Sequence, residues 1–333
     1  MKIRSSFLRG VVIGTLVLLL NSFSNAAIQT KPKISEAESK AANAVDTAAD
    51  INAKMIAAEE FVKKYPKSNA RAHVAEIIVG QILAVSDANQ KLTLAQKYPL
   101  IFTDPAEVDS IKPALIDSYV KLARFDEAFA EGATYLAKHP DDIQILIALS
   151  ITGVEQAKAR NAKFVDPARQ YGAKAIELIE GDKKPADMDA ELWAKQKTML
   201  PQVYQEMAII SLMEQNAAAA QAKLEKAAQL NPADPFNHML LGSIIDEDYR
   251  KQAETYKNMP DGKSKVDMLA KINVMIDKII EHYARGVAMS EGKAQYQKFH
   301  DQLLQDLTAY YRYRHNSSTD GLQKLIDSYK TQP

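Results

Sequence analysis

Histidine is the residue type in this 333-residue chain best suited to metal binding or proton transfer, and it occurs six times, as His73, His139, His238, His282, His300 and His315. No two of them stand four apart, the spacing that sets two imidazoles on one face of a helix, so their order along the chain gives no zinc site. His139 precedes a proline at a helix end and His238 follows the Pro235 turn, positions that suit surface or capping roles. Carboxylates gather at Asp246-Glu247-Asp248 and at Asp182, Asp187, Asp189 and Glu191. Oxygen ligands of this kind suit Ca²⁺, but neither group has a twelve-residue loop with a central glycine. Asp187 and Asp189 are expected instead just before the helix carrying Trp193, where the helix dipole favours negative charge. The chain has no Cys, which excludes thiol nucleophiles, disulfides, iron–sulfur clusters and thiolate zinc sites. It also carries no glycine-rich phosphate loop, no Gly-x-Ser-x-Gly elbow, and no Ser–Lys or Ser–His–Asp arrangement with a supporting turn. No cofactor or metal is expected, and a non-enzyme is the reading favoured. Glu155 and Glu206 stand inside otherwise apolar helical stretches and are read as exposed-face positions.

These residues must be positioned by helices. Hydrophobic residues make up 47% of the chain and Gly only 12 positions, while Ala, Leu, Lys, Glu and Gln abound, which argues for an all-α fold over a sandwich or barrel. Lys2, Arg4 and Arg9 precede an apolar stretch from Val11 to Leu20, and Ser24-Asn25-Ala26 supplies small residues, the pattern of a secretory signal peptide over residues 1–26 with cleavage near Ala26. Without that segment the chain has 39 basic and 42 acidic residues, a net charge of −3. Such a balance offers nucleic acid no basic footprint. Tyr310-Tyr311-Arg312-Tyr313-Arg314 interleaves rings and cations as single-strand binders do, but helical spacing turns those rings toward the body of the protein. No later apolar run is long enough to span a bilayer, so no membrane insertion is expected after cleavage, and the protein is expected in the periplasm or outside the cell.

Residues 27–45 show no apolar face and read as a flexible leader or frayed first helix. From Asp46 onward amphipathic helices follow one another, with Lys64-Tyr65-Pro66, Lys97-Tyr98-Pro99, Lys138-His139-Pro140 and Leu230-Asn231-Pro232 as similar helix ends. The first two lie 33 residues apart, a period that holds two helices and two turns. In residues 201–234, Met207-Ala208, Ala220, Ala227 and Pro232 stand at the spacings of a tetratricopeptide repeat. Leu115, Tyr119, Phe125, Ala128 and Pro140 repeat that register, although Gly132 and Tyr135 depart from it. Ala168, Gly172 and Ala175 suggest a third repeat, Leu241-Gly242 a fourth, and Ala57 through Pro66 the end of another. The chain thus resembles the tetratricopeptide-repeat (TPR) family over residues 46–260, and exported bacterial proteins of that kind.

The resemblance implies a TPR-like α-solenoid of helical hairpins, each too small to bury its own apolar face. It also implies a concave groove that takes a protein or peptide, lined by Asp117, Lys121, Gln202, Gln205, Met213, Met239 and Asp246. Residues 261–333 leave the repeat period. There Val266, Leu269, Ile272, Met275, Ile276, Ile279 and Ile280 at helical spacing predict long bracing helices, with a last helix over Leu322–Tyr329 capped by Thr319 or Asp320. The function expected is an exported scaffold without catalysis. The alternatives are a binder of small ligands or cell-wall fragments, and a helical enzyme with an unrecognised site.

Overall fold

Side-chain caps start many of the helices seen in the computed structural model, which describes residues 34–186 and 188–330. The expected signal segment therefore lies outside the described residues. Asp50, Asp87, Asp104, Asn216 and Asp234 each accept a backbone N–H in the first turn of the helix that follows, which satisfies donors left over at a helix start. Every regular element among the described residues is helical. Two compact units divide the chain, one of residues 34–153 and 162–197, the other of residues 154–161 and 198–330.

The first unit begins with α1 (Glu36–Thr47), α2 (Ile51–Lys64), α3 (Arg71–Ala84), α4 (Ala88–Ile101), the short α5 (Pro105–Ser110) and α6 (Lys112–Lys121). Neighbours pack as hairpins and alternate helices also touch, α1 on α3, α2 on α4 and α4 on α6, as in a stack of hairpins. One core joins them, running from Val45 through Phe61, Ile78 and Ile82 to Tyr98, Phe102 and Ile111. Of the two readings given to residues 27–45, leader or first helix, the described part takes the second. From Glu36 onward it is α1, fixed by a reciprocal cap between Ser35 and Glu38 and by burial of Ala42 and Val45. These two apolar residues are too few to register as a stripe, yet they suffice to dock a capped helix.

Lys64-Tyr65-Pro66, Lys138-His139-Pro140 and Leu230-Asn231-Pro232 do follow helix ends. Lys97-Tyr98-Pro99 does not, because α4 continues past Pro99 to Ile101. Tyr98 and Phe102 are fully buried and stack at 4.6 Å, which anchors the final turn across the proline. Next come α7 (Phe125–Leu136), α8 (Ile143–Lys158, whose last turn belongs to the second unit), α9 (Val165–Glu180) and α10 (Ala190–Lys197). Gly132, a departure from the repeat pattern, admits Leu149 of α8 into the space where a Cβ would stand. Tyr135, the other departure, stacks on His139 at 4.5 Å and donates its hydroxyl to Asp142 at 2.8 Å.

The second unit holds α11 (Leu200–Met213), α12 (Ala217–Leu230), α13 (Pro235–Lys257), α14 (Lys263–Ser290), α15 (Gln297–Arg314) and α16 (Leu322–Lys330). Met207, Ala208, Ala220 and Ala227, the residues of the best repeat match, are all buried, and such small side chains let helix axes approach closely. Gly242 does the same for α13 and α14, where the Tyr283 ring fills the place of a Cβ. The turn after residue 260, where the expected array gives way to the expected cap, joins these two arms of one hairpin within one unit. The long bracing helices are there, α14 with 28 residues and α15 with 18. Of the predicted apolar face, Ile272, Ile276, Ile279 and Ile280 are buried, whereas Val266 is 66% exposed.

Left-handed residues close several of the hairpin turns. Ala123, Arg160, Asp182 and Gln215 have positive φ, and the next residue donates its N–H to a carbonyl five residues back, as Arg124 does to Tyr119 and Asn216 to Ser211. This is the Schellman closure, usually given to glycine. With so little glycine in the chain, these ends leave no mark in the sequence.

Candidate functional site

Asp117 of α6 is 1% exposed, and its Oδ2 accepts Lys91 Nζ of α4 at 2.6 Å and Lys121 Nζ at 2.9 Å. The Lys91 side chain is itself 3% exposed. A carboxylate this deep with a fully withdrawn lysine holds two helices together, and it is not displayed to a ligand in a groove. Its Oδ1 is buried without a hydrogen-bond partner. Lys121 is more open but is tied to the same oxygen.

In the second unit, the last turn of α8 meets α11 through Lys158, whose Nζ reaches Glu206 Oε2 at 3.0 Å and Glu155 Oε1 at 2.8 Å. Glu155 is partly exposed, as the sequence suggested, but Glu206 is only 3% exposed and corrects that reading. Burial pushes the Glu206 carboxyl up to about 7 against the pull of Lys158. Burial acts to lower Lys158, yet Glu206 and Glu155 together raise it. One residue before Glu206, Gln205 donates Nε2 to Asp234 Oδ2 at 2.9 Å and to Asn237 Oδ1 at 2.8 Å, linking α11 to the start of α13. Burial raises Asp234 as well, although its bond from the Phe236 N–H opposes this.

The remaining groove candidates divide by depth. Gln202 and Met213 are exposed on α11, on the face that also carries the half-buried Gln205. Met239 is half-buried against the core of α14 and α15. Asp246 is 5% exposed, bonds Arg250 through both carboxylate oxygens and accepts the Tyr310 hydroxyl. Burial and then Asp246 hold the Tyr310 phenol far above its ordinary value. Asp117 and Asp246 are thus internal ties, while Gln202, Gln205 and Met213 lie on one side of α11 with the buried Glu206 and Ile209 between them. Asp117 and Lys121 belong to the first unit and the other five candidates to the second.

The acidic groups do not act as clusters. Glu247 turns outward to Lys251 while Asp246 turns in. Asp189 Oδ1 accepts the Leu192 N–H at the start of α10, the helix-start position expected of it, and Asp187 lies outside the described residues. Asp182 takes the Trp193 indole N–H at 3.0 Å. Tyr311 is buried and donates to the Asp320 carbonyl, and Arg314 grips Asp277 with two bonds. Four of the histidines have separate settings. His73 is exposed 3.9 Å from Glu76, His139 lies against Asp109, His300 against Ser290 and His315 against the Tyr311 carbonyl. His238 and His282 face each other with Nδ1 atoms 3.3 Å apart, a pairing hidden in the sequence because 44 residues separate them.

The geometry defines an all-α protein of stacked helical hairpins. No family model matches the chain, and no curated protein matches it. Among solved structures, a tetratricopeptide repeat protein from Parabacteroides merdae is 12% identical with a TM-score of 0.38, over 87% of this chain and 95% of that one. PilF of Pseudomonas aeruginosa is 13% identical with a TM-score of 0.35, over 88% and 100%. A monomeric IFIT1 mutant with a capped RNA, m7Gppp-AAAA, is 14% identical with a TM-score of 0.35, over 85% and 56%.

Proposed function

We propose that this chain is an exported, non-catalytic scaffold that binds a protein or peptide along α11. The observation that carries this reading is the set Gln202, Gln205 and Met213. It places two amides and a thioether on one side of a helix whose middle is fixed, at adjacent residues, by Lys158–Glu206 and by Gln205–Asp234–Asn237. A face held this way loses little freedom on binding, and neutral amides suit the backbone of an extended segment or a polar helix flank. Methionine adds an adaptable apolar contact. The buried carboxylates nearby are engaged internally, so the face carries little charge of its own. Export rests on the basic, apolar and small-residue pattern of residues 1–26. Affinity capture from the envelope fraction with the native chain and with Gln202→Ala/Met213→Ala tests the reading. A partner retained by the first and lost by the second supports it, and the same set of proteins on both contradicts it.

Glu206 supports a second reading, a helical enzyme, because a carboxyl raised to about 7 has the protonation state of a general acid at neutral pH. Its pairing with Lys158 and its depth fit an internal tie better. Loss of a turnover with Glu206→Gln at unchanged stability would favour the enzyme.

A further inference from the structure

Helix α14 buries Ile272, Ile276 and Ile279 in the core it shares with α13 and α15, and it carries a second apolar stripe that is open to solvent. Val266 is 66% exposed and Val274 54%, and Ala270 between them is exposed as well. Steps of four residues keep these three on one face. The same face runs on to Lys263 at one end and to Asp277 at the other, both exposed. α16 is tied farther along α14, where Tyr329 meets Arg285 and Lys330 meets Glu291, and it leaves this stretch uncovered. The order of the stripe is symmetric in size and opposite in charge. Val266 and Val274 each stand four residues from Ala270, and Lys263 and Asp277 each stand seven.

From this arrangement we propose that the stripe on α14 is the contact through which two copies of this chain pair, antiparallel and two-fold symmetric about Ala270. A two-fold axis at Ala270 sets each Val266 against Val274 of the other copy and each Lys263 against the other's Asp277. A parallel pairing would instead oppose lysine to lysine and aspartate to aspartate. The small Ala270 at the axis lets the helix axes approach to about 8 Å. The axis also returns the same flank of both helices to the same side, so Asp267 and Lys271 of one copy come within reach of Lys271 and Asp267 of the other. Asp277 keeps 53% of its side chain exposed beside Arg314, which leaves room for a second cation. Four valine side chains drive the association and the end charges fix its direction. A partner of different sequence would not require a stripe complementary to itself. The contact is about 21 Å long and one helix wide, small among specific interfaces, so the pair exchanges with monomer.

The test uses the purified full chain, which has no Cys of its own to interfere with crosslinking. Sedimentation velocity over a range of concentrations is expected to show monomer in exchange with dimer. Val266→Ser combined with Val274→Ser is expected to weaken the dimer by about tenfold or more at an unchanged Tm. Single cysteines then read the direction of pairing. Ala270→Cys is expected to give a disulfide-linked dimer under mild oxidation, and so is a mixture of Val266→Cys and Val274→Cys chains. Val266→Cys alone is expected to give none, because the axis holds its two copies about 12 Å apart, beyond the reach of a disulfide. Monomer at every concentration, a dimer indifferent to the two serines, or linkage by Val266→Cys alone without the mixed pair overturns the proposal.

Discussion

Lys158 Nζ lies 3.0 Å from Glu206 Oε2, and the two side chains are 7% and 5% exposed. A pair withdrawn from water this far regains its desolvation cost only through close contact and extra hydrogen bonds. Glu155 supplies one of these to Lys158. The Glu206 carboxyl titrates about 7 in the fold against an ordinary 4.5. The folded state thus binds a proton that the unfolded chain releases between those values. Its stabilising effect is complete below pH 4.5 and fades as pH rises through about 7. Glu206→Gln is expected to flatten the fall in stability between pH 4.5 and 7, measured by urea midpoints. An identical pH slope in the variant would contradict the assignment.

Asp117 and Lys91 make a second internal tie, in the other compact unit. Asp117→Ala strands a lysine with 3% of its side chain exposed and is expected to cost about 3–5 kcal/mol. Replacing both partners, Asp117→Leu with Lys91→Met, is expected to recover most of that loss. Chemical denaturation of the three proteins decides it, and a double variant no better than Asp117→Ala would refute an internal role for the pair.

Ala123 and Gln215 hold the left-handed backbone at the turns after α6 and α11, with φ of 56° and 60°. A side chain there costs about 1 kcal/mol that glycine avoids. Ala123→Gly and Gln215→Gly are each expected to raise Tm, an unusual sign for glycine, and the effects are expected to add because the two turns belong to different compact units and share no hydrogen-bond partner. Destabilisation by both would show that these turns relax some other way.

Gly242 has the opposite requirement, since the Tyr283 ring occupies the place of a Cβ. Gly242→Ala is expected to lower stability by about 1–3 kcal/mol through overpacking. Restoring the loss with the smaller Tyr283→Leu would locate the clash, and no restoration would place it elsewhere.

Helix content, the hairpin register around Met207-Ala208 and Ala220, and the long C-terminal helices were legible because apolar and small residues recur at local spacings. The buried ties were not. Lys91 and Asp117 are 26 residues apart, Lys158 and Glu206 48, and His238 and His282 44. Periodicity marks which face of a helix is apolar, but a charged residue on that face looks misplaced until its distant partner is known. Glu206 was read as exposed for that reason. Pro99 misled because proline is a statistical stop, while the Tyr98–Phe102 stack that overrides it depends on burial. The groove register did not anticipate that Asp117 and Asp246 turn inward, because their ion-pair and hydrogen-bond partners lie on other helices or a turn away.

The most direct measurement of the scaffold reading is site-specific photo-crosslinking in the native envelope. A photoreactive residue at Gln202 of α11 is compared with one at Gln229, exposed on the neighbouring helix α12. A discrete crosslinked partner from Gln202 and none from Gln229 is the expected result. Equal labelling from both positions, or a partner captured by Gln229 alone, contradicts binding along α11.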